Sequence, residues 1–156
     1  MTAEIRAATD ADLPALLPLV EEYWRFEDIA GFDAARVGRE LGRALADTQL
    51  ASAWVALARG KAVGYLLAVY VFSLEHLGLT AEIDEFFVLP SARGKGLGDG
   101  LLRLAEAEFV RRSCTNVSLQ LGRGNDGARG FYRRHGYTER AGFELLDKML
   151  PDRRRN

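Results

Sequence analysis

The stretch Val88-Leu89-Pro90-Ser91-Ala92-Arg93-Gly94-Lys95-Gly96-Leu97-Gly98-Asp99-Gly100-Leu101-Leu102 joins an apolar, strand-like run to a helix-like run through a proline and a glycine-rich turn. That layout suits a pyrophosphate. Glycines let backbone N–H groups approach an anion closely, and the first turn of the new helix offers N–H groups and partial positive charge to it. Arg93 and Lys95 add full positive charges. Just upstream, Glu82, Asp84 and Glu85 crowd carboxylates into an otherwise apolar strand. Burying that much charge is costly, which points to a chemical role for at least one of them. In a regular strand Glu82 and Asp84 share a face and Glu85 points the other way, barring a β-bulge, a feature common beside active sites.

The chain that must position these groups has 156 residues, 48% of them hydrophobic, enough for one domain with a sizeable core and short for two. We expect a single domain over residues 1–150, followed by a flexible basic tail, 151–156, that contains Arg153-Arg154-Arg155. A net charge of -1 gives no general argument for nucleic-acid binding, and no nucleic-acid partner is expected. The single cysteine, Cys114, excludes an internal disulfide framework and a cysteine-rich metal site. Neither His76 nor His135 lies near it in sequence, and no metal is expected. Glu4, Arg6, Asp10 and Asp12 interrupt any apolar leader, and no apolar run is long enough to span a bilayer, so the expectation is a cytoplasmic protein without a membrane partner.

A short strand around Ile5 leads to Thr9 or Asp10 as a helix cap. The helix beyond carries Leu13, Leu16, Leu17, Val20, Tyr23 and Trp24 on one face, with a kink or restart expected at Pro18. A second helix is expected over residues 33–46. Residues 53–58 and 62–72 read as a hairpin turned at Arg59-Gly60-Lys61, and 81–88 as the next strand. After the glycine loop come a helix ending near Arg111-Arg112, a strand carrying Val117, Leu119 and Leu121, and a short helix from Asn125 to about Arg134 ended by Gly136. Strand, helix, strand favours a right-handed crossover and parallel pairing. Tyr137 and residues 143–150 read as a terminal strand pair. The sum is an α+β fold, a mixed and mostly antiparallel sheet of about seven strands flanked by about four helices.

Arg93-Gly94-Lys95-Gly96-Leu97-Gly98 resembles the acyl-CoA loop of the GNAT (GCN5-related N-acetyltransferase) superfamily, Gln/Arg-x-x-Gly-x-Gly/Ala. Val88-Leu89-Pro90 upstream and Asn125, Ala128, Phe131-Tyr132 and Gly136-Tyr137 downstream resemble that family's flanking segments. The likeness is strongest over residues 82–137. A nicotinamide-binding fold is disfavoured because its glycine loop follows the first strand, and a Walker A loop because Gly-x-x-x-x-Gly-Lys-Ser/Thr is absent.

The resemblance implies acetyl transfer from acetyl-CoA, as cosubstrate, to a primary amine by direct attack in a ternary complex. It implies that Arg93, Gly94, Lys95, Gly96, Leu97 and Gly98 hold the pyrophosphate, that the backbone of Phe87 and Val88 pairs with the pantetheine arm, and that Asn125 contacts CoA. It implies a base among Glu82, Asp84 and Glu85, with the first two ranked narrowly ahead, and Tyr132 as proton donor to the departing thiolate. An unperturbed phenol is protonated at neutral pH, the state an acid needs. A homodimer is a common arrangement in the family.

The resemblance implies that acceptor selection falls to the first two helices and the loops facing the thioester, where Tyr23, Trp24, Phe26, Glu27 and Glu75 could hold an ammonium through aromatic faces and carboxylates. A polyamine, an amino sugar or a lysine-like amine fits that chemistry. The alternative at these positions is ordinary packing of a helix face. Alternatives for the whole chain are an acyl-CoA sensor without turnover, and an acetyltransferase acting on a protein or aminoacyl-tRNA amine.

Overall fold

The computed structural model describes residues 3–152. These described residues fall into two compact units, divided after Gln120. In the first unit the sheet runs β1 (Ala3–Ala7), β2 (Ala51–Ala58), β3 (Lys61–Ser73), β4 (Gly78–Val88) and β5 (Val117–Leu119), in that spatial order. The first four strands are antiparallel neighbours and β5 lies parallel to β4, as the crossover through a helix requires. The mixed α+β architecture is the one expected.

Three helices cover the sheet: α1 (Leu13–Phe26), α2 (Ala34–Ala46) and α3 (Leu97–Arg111). Along the register, Val55 faces Tyr65 and Tyr65 faces Phe87. These three join Leu16, Leu19 and Val20 of α1 and Leu41 of α2 in one buried cluster. The alternate residues turn to the other face, where Trp54 meets Phe109 of α3 edge-on at 5.9 Å. Gly100 lets α3 close on β1, since a Cβ there would run into Ile5 Cδ1.

Local signals read from sequence match the elements closely. Asp33 caps α2 by accepting from the Arg36 N–H at 3.0 Å, and Arg59-Gly60, both at positive φ, turn β2 into β3. Helix α1 runs unbroken through Pro18, so no restart occurs there. Burial of Leu16, Leu19 and Val20 around the proline offsets the lost N–H, each such side chain contributing about 1.5–3 kcal/mol.

The strand count is corrected from about seven to five among the described residues. Tyr137 and residues 143–150 form no ladder, and Phe143, Leu145, Leu146, Met149 and Leu150 are exposed. A strand pattern needs a neighbour's N–H and C=O groups. The Phe143 N–H instead closes a turn onto Arg140 O at 3.2 Å, with the Arg140 guanidinium over the Phe143 ring. Arg153-Arg154-Arg155 of the expected basic tail lie outside the described residues.

The entry to α1 is fixed by an ion pair. Asp12 takes two hydrogen bonds from Arg6 of β1, at 2.8 and 2.9 Å, and a third from the Thr9 N–H at 2.8 Å. The Arg6 hydrogen bonds hold the Asp12 carboxyl down at about 2, against the opposing effect of burial. A lowered folded-state value means stability that is present above the unfolded carboxyl range and lost as pH falls toward the folded value. Urea unfolding of Asp12→Asn against wild type should therefore show a deficit of about 1–2 kcal/mol at pH 7, allowing for solvent screening at the half-exposed Arg6. The deficit should shrink between about pH 4 and pH 2. A deficit that does not change with pH would remove the ion pair as its cause.

Candidate active site

The acidic strand is β4, and its register is irregular at the acids. Leu67 of β3 faces Glu85 while the next residue, Ala68, faces Ile83, so Asp84 is an extra residue bulged out of the ladder. Beyond it Val69 faces Glu82. Leu67 and Val69 lie on the same face of β3 as Tyr65, so Glu82 and Glu85 share the face covered by α1 and α2. This corrects the pairing of Glu82 with Asp84 that regular alternation predicts.

Glu85 is held by two donors, one on each oxygen. The Trp24 Nε1–H of α1 donates to Oε2 at 2.8 Å, and the Tyr65 hydroxyl of β3 donates to Oε1 at 2.8 Å. Burial pushes the Glu85 carboxyl above the usual range; the Tyr65 and Trp24 bonds pull it back, and the neighbouring Asp84 charge adds to the rise. Burial also drives the Tyr65 phenol upward, aided by the Glu85 charge, so that Tyr65 stays a donor. Asp84 presents an exposed surface, yet enough protein surrounds it to raise its carboxyl as well.

Aromatic rings line the same region. Tyr23 stands edge-on to Tyr65 at 6.4 Å and tilts against Phe87 at 5.9 Å, Phe26 tilts against Phe87 at 5.8 Å, and Trp24 meets Phe32 at 5.5 Å. Of the three expected acceptor-side aromatics, Trp24 touches Glu85 itself, Tyr23 touches Tyr65 and Phe87, and Phe26 touches Phe87. Glu27 sits where α1 ends, its N–H bonded to Tyr23 O. Glu75 is not brought to the cluster. It lies in the β3–β4 turn beyond the Ser73–Gly78 pair, six residues along β3 from Leu67 and therefore about 20 Å away.

Sequence reasoning missed Tyr65. The available signal was a tyrosine at an inward position of a strand, whose buried hydroxyl must find a partner.

The glycine loop follows β4 through a short turn, Pro90–Ala92. Gly94 and Gly96 adopt φ of +75° and +76°, and nothing lies within 4 Å of where their Cβ atoms would be, an open cradle for a polyphosphate. Gly96 caps α3, whose first intrahelical bond is Gly100 N–H to Gly96 O at 3.0 Å. The amides of Leu97 and Gly98 precede that bond and point out of the helix start. The Leu97 side chain is buried, so only its backbone can serve a ligand, while Lys95 is exposed. Arg93 donates from Nε to Val88 O at 2.8 Å and lies over the Phe26 and Phe87 rings at 5.1 and 5.5 Å. Pairing of β5 with β4 covers only Ala81 to Ile83, so no strand pairs with that edge of β4 from the bulge to Val88 among the described residues. These features fit an acyl-CoA, with a cradle for its phosphates and a strand edge for its arm.

The second unit contains α4 (Asp126–Arg134). Asn125 caps it, its Oδ1 accepting from the Ala128 N–H at 3.1 Å, and Gly136 follows its end at φ +86°. Tyr132 lies between the Phe131 and Tyr137 rings, each 5.4 Å away. The helix and cap expected from the motif are therefore present.

A profile of the Acetyltransferase (GNAT) family matches residues 14–137, across the strand, the loop and α4. The chain is 28% identical over 143 residues to the uncharacterized N-acetyltransferase YhfO of Bacillus subtilis (strain 168), covering 89% of this chain and 92% of that one. It is 34% identical over 131 residues to an uncharacterized N-acetyltransferase of Archaeoglobus fulgidus, covering 83% and 88%. Among solved structures, the integron cassette protein HFX_CASS3, from the mobile metagenome of Cole Harbour Salt Marsh, superposes with a TM-score of 0.83 at 28% identity, over 95% of this chain and 91% of that one. The chain therefore belongs to the GNAT family of acyl-CoA-dependent acetyltransferases.

Proposed function

We propose that the protein acetylates a primary amine carried by a small cationic acceptor, and that Glu85 receives the acceptor's proton. The observation that carries this reading is the half-buried Glu85 carboxylate, fixed by Trp24 and Tyr65 among aromatic rings beside the unpaired edge of β4. A carboxylate with aromatic faces around it suits an ammonium, as in a polyamine, an amino sugar or a lysine-like amine. The family match is continuous from residue 14 to 137, which supports reading 1–150 as one catalytic domain.

Acetyl-CoA, when bound, supplies a thioester carbonyl for attack by the amine, so that an N–C bond forms as the C–S bond breaks. The backbone of Gly94, Gly96, Leu97 and Gly98 and the Lys95 and Arg93 charges hold the phosphates. The backbone of Phe87 and Val88 aligns the arm in the manner of an added strand. Glu85 takes a proton from the acceptor nitrogen. Its raised carboxyl brings it nearer to a neutral-pH base than an exposed glutamate would be. Tyr132, assigned by its place in the motif, gives its phenolic proton to the departing sulfur and regains one from solvent.

The test is release of free CoA from acetyl-CoA and an amine panel. Wild type should release thiol with cationic primary amines, and Glu85→Gln should lose about 100-fold or more in kcat/KM while binding acetyl-CoA as before. Tight acetyl-CoA binding with no amine-dependent release would instead favour a sensor. Tyr132→Phe should lower kcat with acetyl-CoA affinity nearly intact; an unchanged kcat with chemistry rate-limiting would return Tyr132 to packing. Gly96→Glu puts bulk and negative charge into the cradle and a side chain at positive φ, and calorimetry should find acetyl-CoA binding abolished. Undiminished binding would take the loop out of its assigned role.

A further inference from the structure

Glu85 has a setting that packing alone does not require. The polar tips of Trp24 and Tyr65 could be satisfied by a neutral amide or by water, whereas a carboxylate is the costlier partner at a half-buried site. No lysine or arginine pairs with Glu85 among the described residues. Its two neutral donors come from different elements, α1 and β3, and each is itself anchored. Trp24 stands against Phe32, and Tyr65 is almost wholly buried with Tyr23 at its edge. Together they prevent the carboxylate from rotating. A carboxylate has about four acceptor positions. One bond to each oxygen therefore leaves a second position on each for a donor arriving from outside.

We infer that Trp24 and Tyr65 are positioning residues for the reaction, which lock Glu85 in one orientation and keep it ionised so that its remaining acceptor positions meet the acceptor ammonium. The inference rests on the reading of Glu85 as the proton acceptor. It reassigns Trp24 from a face that holds the substrate to a donor that holds the base. The protons balance: one ammonium N–H bond breaks and its proton passes through a Glu85 oxygen to solvent, the neutral amine attacks, and the second N–H proton leaves to the freed Glu85 carboxylate as the amide forms, while the sulfur takes the Tyr132 proton.

Other titratable and charged groups stand near Glu85, and of these Asp84 bears on its ionisation. Tyr23 reaches the region from α1, Asp84 and Glu82 lie on β4 itself, and Arg93 follows β4, its Nε–H committed to Val88 O. Asp84 opposes ionisation of Glu85, as burial does, and the hydrogen bonds from Tyr65 and Trp24 favour it. Removing either donor should therefore move Glu85 toward its neutral form.

The direct experiment is carbon-13 NMR titration of the glutamate carboxyls in the full chain, with the Glu85 resonance identified by its loss in Glu85→Gln. Trp24→Phe and Tyr65→Phe should each raise the Glu85 midpoint by about half a unit or more. With spermidine as the acceptor probe, or otherwise the best amine from the panel, the acid limb of kcat/KM should move to higher pH in parallel, with KM for acetyl-CoA unchanged. A purely structural role would lower stability and leave both midpoint and limb in place. Should Tyr65→Phe fail to fold, Trp24→Phe gives the same reading from a less buried position. Full turnover by Glu85→Gln would overturn the proton-acceptor reading and this inference with it. Lost turnover in Glu85→Gln combined with an unmoved midpoint and limb in the phenylalanine variants would overturn the inference alone.

Discussion

β4 holds one residue more than β3 can pair, and the arrangement of the site follows from where that residue falls. With Asp84 bulged out, Glu85 and Phe87 fall into step with Tyr65 and Leu67, while Ile83 turns to the opposite face against Ala68. Without the bulge, Glu82 and Glu85 could not share a face, and the donors of Glu85 come from that one face, Trp24 from a helix above the sheet and Tyr65 from the neighbouring strand. The bulge also marks the point beyond which β5 no longer pairs with β4. One local irregularity thus sets Glu82 and Glu85 on one face and coincides with the start of the unpaired strand edge.

The donor side depends on a different constraint. Two left-handed glycines turn the chain sharply enough after β4 for α3 to begin with its amides facing outward. Arg93 ties the two sides together in the first unit. It is bonded to the end of β4 through Val88 O and stacked on Phe26, the last residue of α1, and on Phe87. Movement of the loop that carries the donor phosphates would therefore be felt at the aromatic cluster around Glu85.

Much of this was legible before any coordinates. Glycine spacing, the Asn125 cap and the alternation of Val117 and Leu119 are local signals that match the structure, because backbone conformation and capping are decided within a few residues, whereas Leu121, expected on the same strand, lies beyond the end of β5. The orientation of the acids was not legible. A bulge is a mismatch between two strands, and nothing in Glu82-Ile83-Asp84-Glu85 by itself shows how many residues of β3 will stand opposite. Tyr65 was overlooked for a similar reason: its hydroxyl finds its partner twenty residues away in sequence. The terminal strands were over-read because apolar alternation over residues 143–150 records what a segment could bury, and burial in a ladder needs a partner strand.

The central claim is that Glu85, oriented by Trp24 and Tyr65, is where the acceptor amine gives up its proton. The most direct measurement is a crystal structure with a bisubstrate conjugate in which CoA is linked through an acetyl bridge to a polyamine. The account predicts that the bridged nitrogen lies within hydrogen-bond distance of a Glu85 oxygen, directly or through one water, with the Trp24 and Tyr65 bonds intact. A nitrogen held instead by Asp84 or Glu82, with Glu85 out of reach, would contradict it.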